Sequence, residues 1–189
     1  MSWFTDKHLL YQISTQHQPE AFDTLYLRYI DKIHRFMAFR VSQPEDADDL
    51  TAEVFSKTWQ YLTKNDPEEI RSFQAFIYKI ARNTVANFYR AQGKIPHIMD
   101  INDPEEYLEV KDEQEDMLKK SLRAQEVDDL IANVQLLKEP WREVIALRFF
   151  EELDINEIAE IMEQTPGYVR VIIHRGIKEL QKIMGSQSI

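Results

Sequence analysis

Apolar residues recur every three or four positions along most of this chain, a period that belongs to helices and not to strands. Phe22, Leu25, Tyr26, Tyr29, Ile33, Phe36 and Met37 fall on one face of a first clear helix. A second begins near Pro44 to Asp46 and buries Ala47, Leu50, Val54, Phe55, Trp59 and Leu62, which leaves Asp46, Asp49, Glu53 and Lys57 outside. Asn65, Asp66 and Pro67 then break the pattern. A third helix is predicted from about Ser72 to Arg90, with Phe73, Phe76, Ile77, Ile80, Ala81, Val85 and Phe88 inward and Tyr78, Lys79, Arg82, Asn83, Asn87, Tyr89 and Arg90 on or beside its polar side. Periodicity fades between Gly93 and Asp116 and resumes near Leu118. After the turn at Lys138 to Pro140 it continues through a helix that holds Trp141, Val144, Ile145, Leu147 and Phe150.

The last stretch reads as a helix-turn-helix. Asp154 and Glu157 have the spacing of a capping box, in which each side chain satisfies an orphan amide at a helix start. Thr165 and Pro166 mark a second start, since threonine caps and proline fits the first helical position. Ala159 is small enough for the two helices to approach, and Val169, Ile173, Ile177, Leu180 and Met184 face inward. Tyr168, Arg170, His174, Arg175 and Lys178 remain outside, a surface suited to a DNA major groove. An ordinary helical hairpin with a solvated basic face has the same pattern.

These segments predict an all-α fold of two helical domains: 1–92, an acidic linker over 93–117, and 118–189 with the helix-turn-helix. With 189 residues, 43% of them hydrophobic, the chain is long enough for two small cores. No apolar run approaches the roughly 20 residues a membrane span needs, and the N-terminus lacks the order of a signal peptide, so a cytoplasmic protein without direct membrane insertion is expected. There are no cysteines, and the five histidines lack ligand spacing, so no metal site and no cofactor is expected.

A net charge of −10 opposes nucleic-acid binding until its distribution is considered. Between Arg71 and Lys94 there are five Lys or Arg and no carboxylate, and between Thr165 and Ile189 four basic residues stand against Glu179 alone. Acid concentrates instead in Glu45 to Glu69 and in Asp100 to Asp116, which holds nine carboxylates and one lysine. A chain charged in this way binds free duplex weakly and needs a partner to present it. Cations interleaved with aromatics, as in Lys79, Arg82 and Arg90 beside Tyr78 and Tyr89, with the amides of Asn83 and Asn87 among them, suit unpaired nucleotides. Asp46, Asp49 and Glu53 share a face, either as companions of the helix dipole or as a dock for a basic partner. No pairing of carboxylates with a histidine or a glycine-rich loop suggests catalysis, and a non-enzymatic protein is expected.

Taken in order, the two halves resemble an extracytoplasmic-function sigma factor, the two-domain form of the bacterial RNA polymerase initiation subunit. The resemblance rests on Phe22 to Tyr29, Asp46 to Trp59, Phe73 to Asn83, Trp141 to Phe150, and Asn156 to Met162 followed by Val169 and Arg170. It implies a factor that binds core polymerase, recognises minus 35 and minus 10 promoter elements and assists strand opening. Asp46, Asp49, Glu53, Phe55 and Trp59 correspond to the family's surface for core polymerase. The loop Lys64 to Arg71, with Asn65 and Arg71, corresponds to the segment that captures a flipped base, and Lys79, Arg82, Asn83, Asn87 and Arg90 fall on the adjoining helix. Gly167, Tyr168, Arg170, Val171, His174 and Arg175 fall where the family reads the minus 35 element. The acidic linker matches the segment that threads the polymerase, and an anti-sigma partner is implied. Phe76 replaces a common tryptophan, Ala52 a common glutamine, and Glu163 a common glycine in the turn. Val171 and Ile172 make the reading surface less polar than in many relatives.

Two rivals stay open on the residues alone. A stand-alone repressor would use the same helix-turn-helix as a symmetric dimer, and an acidic helical adaptor would bind only protein.

Overall fold

The computed structural model describes residues 2–16, 18–65, 67–93 and 127–186. Every regular element among them is helical. The predicted linker, apart from Gly93, and the predicted start of the second domain at 118 lie outside the described residues. The described residues divide into two compact units, one within 2–37 and 43–93, the other of 38–42 and 127–186.

The N-terminal unit contains α1 (Ser2–Gln16), α2 (Glu20–Arg40) as far as Met37, α3 (Pro44–Lys64), a single 3-10 turn (Pro67–Glu69) and α4 (Phe73–Ala91). Ring pairs fix its register. Phe22 meets Trp59 and Tyr26 meets Phe55, so α3 descends as α2 ascends. Tyr29 meets Phe73 and Phe36 meets Tyr78, so α4 runs with α2. Such edge-on and tilted pairs add about 0.5–1.5 kcal/mol each to the burial of the rings themselves. Tyr78, expected on the polar side of α4, is fully buried. Its helix is covered on two sides, by α2 and by α3, and needs a wider apolar stripe than one face supplies. Phe76, Ile80 and Phe88, expected inward, are half-buried at the edges of that stripe.

Helix α1 precedes the first pattern that the apolar spacing made clear. Its apolar contribution is short, Leu9, Leu10 and Ile13. A polar contact completes its attachment: Asp6, only 4% exposed, accepts from the Tyr29 hydroxyl at 2.5 Å and pairs with the Arg28 guanidinium.

In the C-terminal unit α5 (Val127–Gln135) is followed by α6 (Trp141–Ile145), which passes into a π-helical turn (Ala146–Phe150), then by α7 (Ile155–Met162) and α8 (Pro166–Ser186). The π turn closes with the Glu151 amide donating to the Ala146 carbonyl at 3.2 Å. Segment 38–42 is built into this unit. The Gln135 side-chain amide donates to the carbonyls of Ala38 and Val41 at 2.6 and 3.0 Å, satisfying acceptors that a helix end leaves open. Arg40 lies 2.9 Å from Glu139 and 3.0 Å from Glu143, and burial pushes the Glu139 carboxyl above its ordinary value although Arg40 opposes that shift.

Gly176 is where α8 touches α6. A β-carbon there would stand 3.0 Å from Ile145 Cγ1 and 3.4 Å from Trp141 Cβ, so hydrogen is what permits the approach. Ile172, expected at the reading surface, is fully buried, and Met184, expected inward, is half-buried. The packing of α6 as well as α7 against α8 turns Ile172 into a core residue.

Candidate nucleic-acid and protein-docking surfaces

The helix-turn-helix is set by hydrogen bonds that its own sequence supplies. Asp154 Oδ1 accepts from the amides of Asn156 and Glu157 at 2.7 and 2.9 Å, and Glu157 Oε2 accepts from the Asp154 amide at 2.8 Å. Helix α7 ends at Glu163, whose φ of 56° and ψ of 42° place a non-glycine residue in the left-handed region. Just beyond it, Thr165 Oγ1 accepts from the Tyr168 amide at 3.2 Å and starts α8. Val169, Ile172, Ile173 and Ile177 are buried beneath it, and Ala159 on α7 is 5% exposed where the two helices meet.

The opposite side of α8 carries the expected reading residues. Arg170 and Lys178 are exposed, and Gly167, Tyr168, Val171, His174 and Arg175 are half-buried. Residues 167, 170, 171, 174 and 175 follow helical spacing, so they form one ridge that begins at the helix N-terminus. The sides of α7 and of the turn are acidic, with Glu160 and Glu163 exposed. Within this helix pair it is the α8 ridge that offers cations to a phosphate backbone.

In the N-terminal unit, Ser72 starts α4 by accepting from the Ala75 amide at 3.2 Å. Asn83, Asn87 and Arg90 are exposed along it, while Lys79 and Arg82 are half-buried. The Arg90 guanidinium donates to Asn87 Oδ1 at 2.5 Å, which arrays the two as a single polar edge. Arg71 is exposed just before the helix. Asn65, also exposed, closes α3, because its side-chain amide and its backbone amide both donate to the Tyr61 carbonyl at 3.0 Å. Tyr61 and Phe76 pack at a centroid distance of 4.8 Å where α3 ends beside α4.

The acidic helix presents Asp49 and Glu53, both exposed, with Asp46 half-buried one turn earlier. Phe55 is 4% exposed, with its ring edge-on to Tyr26, and so supports this surface from beneath. Trp59 is half-buried against Phe22. Beside them lies a groove of about 360 Å3, lined by Pro19, Phe22, Asp23, Tyr26, Phe55, Ser56 and Trp59. Phe22 and Tyr26 read as core in the sequence. They belong to the groove because they lie on the side of the first turns of α2 that stays partly open, while Ala21 and Leu25 on the other side are buried, and aromatics repeating four apart on both helices were the available signal. Lys57, expected on the solvated face, pairs with Glu53 at 2.6 Å and also reaches across to Thr84 on α4 at 3.2 Å.

Among the described residues, no helix is long and apolar enough to cross a membrane.

Comparison with known proteins places these surfaces in context. Residues 25–95 match the model described as Sigma-70 region 2, and residues 135–182 match that described as Sigma-70, region 4. The ECF RNA polymerase sigma-E factor of Haemophilus influenzae is 33% identical over 179 residues, covering 90% of each chain. The ECF RNA polymerase sigma factor BldN of Streptomyces coelicolor is 27% identical over 88% of this chain, which spans 61% of that relative's length. Among solved structures, CnrH in complex with the cytosolic domain of CnrY superposes with a TM-score of 0.70 at 19% identity, covering 96% of this chain and 98% of that one, a likeness of fold.

Proposed function

Because this chain belongs to the extracytoplasmic-function sigma factors of bacterial RNA polymerase, it directs transcription initiation at promoters, and we propose how its own residues divide that work. The 1–92 domain docks on core polymerase through Asp46, Asp49, Glu53 and Trp59, with Phe55 as support. An acidic, partly apolar face suits a basic partner surface, and complementary charge orients the encounter. Arg71, Lys79, Arg82, Asn83, Asn87 and Arg90 hold the opened strand of the minus 10 element, with Asn65 shaping the loop that receives a flipped base. The 118–189 domain reads the minus 35 element through Gly167, Tyr168, Arg170, Val171, His174 and Arg175. Catalysis belongs to the polymerase, and the protein acts in the cytoplasm, where that enzyme is.

The observation that carries this reading is the pairing of one acidic docking face with two separate cationic ridges in a chain of strongly negative charge. Its DNA-binding surfaces become useful once the polymerase has brought them to a promoter. An inhibitory protein partner that covers the groove and the acidic face would silence the factor by denying it the polymerase.

Run-off transcription and co-purification with core polymerase test the assignment. The wild-type chain is expected to yield specific transcripts, and Glu53→Lys to lose core binding. Normal binding by that variant removes the docking role from α3. Failure of the folded, inhibitor-free wild-type chain to bind core polymerase returns the helix-turn-helix to a repressor's role.

A further inference from the structure

Glu53 and Lys57, four residues apart on α3, form what sequence alone presents as an ordinary surface ion pair. Such pairs contribute little to stability and have no further consequence. This one differs in its third member. The Lys57 ammonium lies 2.6 Å from Glu53 Oε1 and donates to Thr84 Oγ1 at 3.2 Å, and Thr84 is 1% exposed within α4. A buried hydroxyl on another helix therefore fixes where the charge sits, since buried polar atoms hold their partners. The lysine and glutamate side chains remain 39% and 47% exposed, so either can exchange partners without unfolding.

On one side of this ammonium is a carboxylate of the docking face. On the other is the helix whose Asn83 precedes Thr84 and whose Asn87 follows it by one turn, both exposed. We propose that Lys57 is a positioning residue that couples polymerase docking to strand capture, because its single charge is shared between Glu53 and α4. The inference rests on the functional reading above. In the free protein Glu53 neutralises Lys57 and α4 offers less positive potential to a phosphate. When Glu53 turns to a cation of the polymerase, Lys57 keeps its anchor on Thr84 and its charge is returned to the DNA side. Coupling of this kind is reciprocal: whatever removes the carboxylate's charge strengthens single-strand binding, and a bound strand favours a Glu53 that is released for docking.

A double-mutant cycle on the full chain tests this with Glu53→Gln, Lys57→Gln and the double variant. One arm measures binding of a minus 10 non-template oligonucleotide to the free protein at low salt. Glu53→Gln is expected to tighten binding about two- to threefold, and the gain is expected to vanish in the double variant. The second arm measures strand opening at saturating core polymerase, by fluorescence of a base analogue in the minus 10 element. Lys57→Gln is expected to slow opening about fivefold with core affinity changed less than about twofold. Lys57→Arg is expected to restore most of the rate. Thr84→Val, which keeps the volume and removes the acceptor, is expected to reproduce the defect.

Additive effects of the two substitutions in both arms overturn the proposal. So does a Lys57→Arg variant as slow as Lys57→Gln, which assigns the lysine to packing, or a Lys57→Gln variant that loses core affinity and opening in step. A wild-type chain that does not bind core polymerase overturns the initiation-factor reading instead. The oligonucleotide arm needs no polymerase and still decides the sharing of Lys57.

Discussion

Helices α4 and α8 both present a polar, cationic face to DNA in the proposed function, yet they are held by different means. The geometry around α8 is set locally: a capping box at Asp154, a left-handed residue at Glu163 and a threonine cap at Thr165 all act within a few residues of the chain. The geometry around α4 is set at a distance. Tyr78 packs on Phe36, Phe73 on Tyr29 and Phe76 on Tyr61, and each contact depends on the register of another helix. A reading head can thus be specified by short-range signals, whereas a strand-holding helix beside a docking helix is specified by the core they share.

This contrast is most vulnerable at Tyr78. Tyr78→Ala removes a fully buried ring and is expected to cost the N-terminal unit about 3–5 kcal/mol in urea unfolding. A loss below about 1 kcal/mol would mean that local propensity holds α4 after all. Next comes Arg170→Ala, exposed at the start of the α8 ridge. It is expected to weaken upstream promoter binding by about 1–3 kcal/mol and to relax selectivity at one base pair. An equal loss on every sequence would make Arg170 a phosphate contact.

Asp154→Ala tests local specification directly. Losing the two bonds that the Asp154 carboxylate accepts, while the Asp154 backbone amide still donates to Glu157, is expected to destabilise the C-terminal unit by about 1 kcal/mol, read as a lowered midpoint of chemical unfolding. The smallest effect has the opposite sign. Glu163→Gly relieves a left-handed backbone at a side-chain-bearing residue and is expected to raise stability by about 1 kcal/mol or less. A drop in stability would show that contacts of the Glu163 side chain outweigh the strain.

The same division explains what was legible in the sequence. Asp154, Glu157, Thr165 and Pro166 announce their roles by identity and spacing, and each forms the element expected of it. The all-helical fold was legible because apolar residues keep the helical period in both units. Tyr78 and Ile172 were misplaced because a period of 3.6 locates one buried stripe, and both helices are packed on two sides. The π turn at Ala146 to Phe150 escaped because side-chain pattern carries no information on which carbonyl an amide chooses. Of the candidate surfaces, Asp49, Glu53, Asn83, Asn87, Arg90 and Arg170 are exposed as their helix faces suggested. The tie from Lys57 to Thr84 was hidden, since partners 27 residues apart meet only when the relative register of two helices is known.

Trp59 has a use that its packing alone does not suggest. Its ring sits at the wall of the groove between α2 and α3, 5.0 Å from Phe22 and half-buried. An indole in that position changes the colour and yield of its emission when water is expelled from beside it. Replacing Trp3 and Trp141 by phenylalanine leaves Trp59 as the chain's sole fluorophore of that kind. Occupation of the groove can then be followed as it happens, in an undyed protein.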